Sequence, residues 1–158
     1  MKCACILNHL YIGPDLRLQQ EYEQLQSLKV TAILSLQTEA DIGRGGLQRA
    51  KRMAKSAGFG FINAPVTDFD RLELQRKLPD CVRKLDRLLR VGHTVYIHCT
   101  AGVNRSPTVA VAYLHWCLQW PLNQAATYLH RMRLCSPDLE TIRRATASAA
   151  AKSPRPNQ

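Results

Sequence analysis

The stretch HCTAGVNRSPT, residues 98–108, follows the apolar run Thr94-Val95-Tyr96-Ile97. That run has the length and the β-branched and aromatic content of a buried strand. On its other side lies Val109-Ala110-Val111-Ala112-Tyr113-Leu114, apolar all round, the pattern of a central helix buried on every face. Pro107 suits the first turn of that helix, where no backbone donor is required. Strand, tight loop and buried helix together place a ligand at the carboxyl edge of an open α/β sheet.

Working outward, short apolar runs alternate with helical patterns. Residues 3–7, 10–12, 30–36 and 59–66 read as strands, and 16–28 and 47–57 as helices. A helix over 72–89 repeats Leu78, Val82, Leu85 and Leu89 at spacings of four, three and four, with Arg83, Lys84, Asp86, Arg87 and Arg90 on the other face. The strand at 94–98 and three further helices follow; Pro121 and Pro137 can open the last two, with Ser136 a cap for the final one. Such alternation predicts an α/β fold, a central, mainly parallel sheet flanked by helices. The Ala/Ser/Lys/Pro tail after about residue 147 has too little to bury and should fray.

Composition narrows the function. The chain of 158 residues suits one domain, and 46% apolar with 22% charged residues is ordinary for a globular protein. No run approaches the eighteen or so apolar residues of a membrane span, and the N-terminus lacks the features of a signal or transit peptide. A cytoplasmic monomer is expected. Cysteines at 3, 5, 81, 99, 117 and 135 form no CxxC pair, which argues against structural zinc and against a secreted disulfide scaffold. His98-Cys99 has no second ligand pair of suitable spacing, so no metal and no other cofactor is expected. The net charge of +10 attracts polyanions, whether nucleic acid, anionic membrane or phosphorylated substrate. Little aromatic interleaving accompanies the cations, which disfavours nucleic acid.

The loop itself has a chemistry. Consecutive N–H groups of Thr100, Ala101, Gly102, Val103 and Asn104 can curl into an anion-binding nest, and the helix after them aims its positive end at the same spot. Cys99 would lie at the bottom, where the field that attracts phosphate also stabilises the thiolate. Arg105 can offer a permanently charged planar fork to phosphate oxygens.

His98-Cys99, Gly102 and Arg105-Ser106 resemble the HCxxGxxRS signature of the cysteine-dependent protein tyrosine phosphatases, specifically the dual-specificity group. The likeness extends to Leu10-Tyr11-Ile12-Gly13 and Val30-Thr31-Ala32-Ile33-Leu34-Ser35-Leu36 and covers nearly the whole chain. It implies a catalytic domain over residues 1–147, with the tail at 148–158. It also implies a phosphomonoester hydrolase: Cys99 as nucleophile, Arg105 and the loop amides on the phosphoryl oxygens, Ser106 easing thiolate departure, and His98 ordering the loop. A general acid should stand opposite the nucleophile. Asp68 and Asp70 both fall in the family's window; Asp68 matches the family position, and Asp70 would support the loop or cap the next segment.

The pattern is similar to the starch-excess and laforin-like glucan phosphatase branch in Asp68-Phe69-Asp70, Lys77-Leu78-Pro79, Trp116, Arg133, Cys135 and Pro137. Phe69 would then be a platform for a sugar ring. That branch has glycine before the signature arginine, whereas this chain has Asn104, as in protein-directed phosphatases. Phosphoprotein and phosphoglucan both stand as substrates, and a non-catalytic phosphate-binding module stands as the reading outside enzymology.

Overall fold

The computed structural model describes residues 2–145. The chain runs β1 (Ala4–Leu7), β2 (Leu10–Gly13), α1 (Gln19–Ser27), β3 (Ala32–Ser35), α2 (Glu39–Ile42), α3 (Gly46–Ser56), β4 (Gly60–Asn63), α4 (Arg71–Arg90), β5 (Val95–His98), α5 (Arg105–Trp116), α6 (Leu122–Met132) and α7 (Leu139–Arg144). The tail expected at 148–158 lies outside the described residues. One sheet, ordered β1-β2-β5-β3-β4, holds all five strands; only the β1–β2 pair is antiparallel.

Strand β5 sits in the middle, bonded to β2 on one side and β3 on the other, and all four of its residues are buried. Its alternation divides the core. Val95 and Ile97 point into the larger cluster, with residues of α4, α5 and α6, while Tyr96 joins Tyr22, Leu25, Ala54 and Phe59 in the smaller one. Helix α5 is buried at every position but His115, as its all-round apolarity predicted. The path of α4 likewise follows its apolar stripe, burying Leu74, Leu78, Cys81, Val82, Leu85 and Leu88.

Two details differ from the expectation. Helix α2 has four residues, too few for a periodic signal. Helix α7 is capped by Asp138, whose side chain accepts from the Thr141 N–H at 3.0 Å, and not by Ser136. The helix starts two residues beyond Pro137, and a carboxylate at its N-cap meets the free amides of the first turn directly.

Because Leu114 is fully buried between helix layers, Leu114→Ala should destabilise the protein by about 2–5 kcal/mol. Urea unfolding should show a lowered midpoint at unchanged slope; an unchanged midpoint would mean that α5 is not the centre of the core.

Candidate active site

Cys99 leaves β5 at its carboxyl end, buried at 3% exposure, with Sγ 3.4 Å from Ser106 Oγ. His98, the last residue of β5, is fully buried and stacks on Tyr96 with ring centroids 5.7 Å apart. Its Nδ1 lies 3.0 Å from the Cys99 carbonyl oxygen. A carbonyl only accepts, so Nδ1 carries the proton. Burial pushes the imidazolium pKa down, which keeps the ring neutral.

From Cys99 to Asn104 every carbonyl has a donor. Cys99 O takes His98 Nδ1–H, and Thr100 O takes the Asp15 N–H at 3.0 Å. Ala101 O and Gly102 O accept from Arg133, Nη2 at 3.0 Å and Nε at 2.9 Å. Val103 O accepts from the Ser136 N–H at 2.7 Å, and Asn104 O from Thr108, N–H at 2.9 Å and Oγ1 at 2.8 Å. The N–H groups of residues 100–106, by contrast, have no acceptor among the described residues. The loop is thus a nest, its carbonyls turned out and satisfied and its amides free around Cys99. Gly102 makes the turn at φ +68°, and a Cβ there would stand 2.5 Å from Gly13 O, so no other residue fits.

Arg105 is 1% exposed. Its Nη1 donates to Asp41 Oδ2 at 2.9 Å and Val66 O at 2.8 Å, and Nη2 to Asp41 Oδ1 at 3.0 Å and Thr100 Oγ1 at 3.2 Å. Nη2 also lies 3.2 Å from Asp68 Oδ2. Nε alone is buried with no partner among the described residues. Asp41 was absent from the sequence reading. Burial alone would raise its pKa, but the bonds from Arg105 and from the Thr38 amide and hydroxyl outweigh that and hold it at about 2. The carboxylate closes a capping box on α2 through the Thr38 N–H at 2.7 Å, and the spacing Thr38-x-x-Asp41 was the available signal.

Asp68 sits on the loop between β4 and α4 with its side chain 35% exposed. Asp70 turns away and caps α4, accepting the Glu73 N–H at 2.8 Å. Phe69, between them, is held at φ 61° and is 99% exposed. That is an uncommon backbone state for an aromatic residue, and it keeps the ring at the rim of a cavity of about 290 Å³ shared with Asn104, Arg105 and Leu74. The loop is pinned by Lys77 Nζ on Pro65 O at 2.8 Å and by a two-bond Arg71–Asp138 pair at 2.6 and 3.0 Å. Asn104 donates from Nδ2 to Ser136 O at 2.9 Å, a bond that glycine at this position could not make.

The loop signature, the buried arginine and an acidic loop opposite them now have a family to be compared with. The sequence matches the family described as dual specificity phosphatase, catalytic domain, over residues 10–144. The chain belongs to that family. Among the relatives of this phosphatase domain, it is 32% identical to the phosphoglucan phosphatase LSF1, chloroplastic, of Arabidopsis thaliana, over 92% of this chain and 25% of the relative. It is also 32% identical to laforin of Mus musculus, over 84% of this chain and 44% of the relative, and 30% identical to dual specificity protein phosphatase 9 of Homo sapiens, over 81% and 31%. It spans less than half the length of these curated relatives. The fold of the phosphatase domain matches the crystal structure of PTPMT1 in complex with PI(5)P, at a TM-score of 0.73, 20% identity and 90% coverage of each chain.

Burial of neutral His98 links stability to pH. Its folded pKa is depressed, so its contribution is fully present above the unfolded value near 6.5 and is lost as pH falls below it. Melting temperature should therefore drop as the pH is lowered from 7 toward 5, and His98→Asn should flatten that slope; an unchanged slope would show that His98 does not titrate on unfolding. Arg133→Met removes the donors to two loop carbonyls. Inorganic phosphate should then bind at least about tenfold more weakly by calorimetry, with the fold kept; equal affinity would show that the brace is dispensable.

Proposed function

We propose that this chain is a cysteine-dependent phosphomonoester hydrolase acting on phosphorylated protein, at tyrosine, serine or threonine, through a phosphocysteine intermediate. The observation that carries the reading is the set of acceptor-free amides and the unpartnered Arg105 Nε around Cys99 Sγ, a cradle for three phosphoryl oxygens.

In the first step the Cys99 thiolate attacks phosphorus in line and the ester P–O bond breaks. Two phosphoryl oxygens take Arg105 Nε and Nη2. The second of these takes over the Nη2 hydrogen that Thr100 Oγ1 accepts and displaces Asp68 from its 3.2 Å contact, and Asp68, in its protonated form, then gives its proton to the departing oxygen. In the second step the Asp68 carboxylate takes a proton from water, the water oxygen attacks phosphorus, and the P–S bond breaks. The Ser106 hydroxyl, 3.4 Å away, donates a hydrogen bond to the thiolate as it leaves. His98, through the Cys99 carbonyl, holds the start of the loop. No step needs a metal.

Phosphoglucan is the second substrate reading, supported by the names of two relatives, the phosphoglucan phosphatases LSF1 and DSP4, and by the ring of Phe69 standing in solvent beside the cleft. The Asn104–Ser136 bond supports the protein-directed reading, since it fills the position where the glucan branch carries glycine. The proposal keeps a cytoplasmic monomer. The plastid names of two relatives make that compartment the competing one. No helix among the described residues is long and apolar enough to cross a membrane.

Turnover of a small aryl phosphate that disappears in Cys99→Ser tests the chemistry; an inactive wild type would leave only a phosphate-binding module. Asp68→Asn should slow alkyl phosphopeptides far more than activated aryl phosphates, and equal losses would remove Asp68 from the acid role. Phosphate release from phosphopeptides set against release from amylopectin then decides the substrate class.

A further inference from the structure

One stretch of the chain carries positive charge with no acid of its own. Between residues 43 and 67 the chain carries Arg44, Arg49, Lys51, Arg52 and Lys55 and no acidic residue. All five are exposed, and none forms an ion pair among the described residues. On helix α4, by comparison, Lys77, Arg83, Lys84 and Arg90 are each paired with an acid on the same helix, and Arg76 and Arg87 stand apart from that set. The charge on α3 is therefore available to something outside the chain.

A cavity of about 410 Å³ lies beside this helix, walled on its other sides by the segment after β2 and by residues around α2. Its walls include Asp15, Arg17, Gln37, Asp41, Arg49 and Met53. Asp41 is the residue that clamps Arg105, and the Gln37 side chain reaches Thr100 Oγ1 at 3.2 Å, so one wall is hydrogen-bonded to the two ends of the phosphate nest. Both acids on the wall are already matched, Asp41 by Arg105 and Asp15 by Arg17 at 2.8 Å. Arg49 is left as the unmatched charge of the cavity, with Arg52 beside it one turn along α3. Lys51 lies two residues from Arg49, about 200° around the helix, and faces away.

Resting on the phosphatase reading above, we propose that this cavity is a second anion subsite for a peptide substrate. It takes an acidic side chain or a second phosphorylated residue close to the one being hydrolysed, with Arg49 and Arg52 as its cations. A glucan chain is neutral apart from its phosphates and gains little from a basic wall. A membrane surface would call for apolar groups beside the charges, and on this face of α3 only Met53 is exposed. A polypeptide with a neighbouring anion fits both the cavity and the charge.

The test compares kcat/KM for three phosphopeptides of one sequence, with a neutral flank, an acidic flank or a second phosphate. The wild type should prefer the two anionic forms by on the order of tenfold, mainly through KM and less so at high salt. Arg49→Glu with Arg52→Glu should abolish the preference, and Arg49→Gln should reduce it. Lys51→Glu changes the net charge by as much as Arg49→Glu does and should leave the preference intact. Equal loss in Lys51→Glu, or a preference that survives the double variant, overturns the proposal in favour of a diffuse field. Loss of binding to phosphatidylserine vesicles in the double variant, with no peptide preference in the wild type, overturns it in favour of a membrane. The two arms separate carboxylate from phosphate as the anion. A wild type that turns over neither peptide nor aryl phosphate would sink the phosphatase reading itself, whereas turnover without preference sinks only the subsite.

Discussion

A peptide unit cannot turn its N–H toward a ligand without turning its C=O the opposite way, and a carbonyl left bare in the protein interior is costly. The loop from Cys99 to Asn104 depends on that constraint being met six times over. Its donors come from far apart in the chain: His98 within β5, Asp15 after β2, Thr108 within α5, Arg133 at the end of α6 and Ser136 before α7. The ring of free amides around Cys99 follows from that outer ring of satisfied carbonyls. The fold's main contribution to the site is to bring these donors to one end of the central strand.

Arg105 shows a related balance. Burying a guanidinium is expensive, and the expense is met by a carboxylate in two-point contact and by a backbone carbonyl. The Asp41 pair fixes the plane of the fork and leaves Nε as the free donor. Orientation is thereby settled in the folded protein before any ligand arrives, which lowers the reorganisation that binding requires. Asp41 also caps α2, so the same carboxylate ties a helix end to the buried Arg105.

The two sides of the cleft are chemically unlike. On one stands the Asp68–Phe69–Asp70 loop, pinned by Lys77 and by the Arg71–Asp138 pair, with an aromatic ring held out in solvent. On the other stands a basic helix with no acids of its own. The net charge of +10 reads from composition as a general attraction for anions; on α4 four of the cations are paired along the helix, whereas α3 carries four cations and no acid to pair with them. Asn104 links the catalytic loop to Ser136 on the aromatic side.

Much of this was legible in order along the chain. Hydrophobic periodicity marked the five strands and the long helices, the all-round apolarity of α5 marked its burial, and the spacing of Cys99, Gly102, Arg105 and Pro107 marked the nest. These features are local: each depends on residues within one element or one turn. Of the two roles open to Asp70, loop support or a cap, the structure shows the cap; for α7 the sequence points to Ser136 where Asp138 provides the cap, since both precede an apolar stretch and only the start of the helix separates them. Asp41 and Arg133 could not be assigned roles, because they act on residues 64 and about thirty positions away, and no periodic pattern connects them. The sequence by itself determined the elements, the place of Cys99 at the end of the central strand and the shape of its loop, because short-range sterics and hydrogen bonding suffice for those. Only the tertiary structure decided which carboxylate clamps Arg105, which arginine braces the loop and where the unmatched charge lies, because those depend on which distant side chains the packed sheet brings within hydrogen-bond reach.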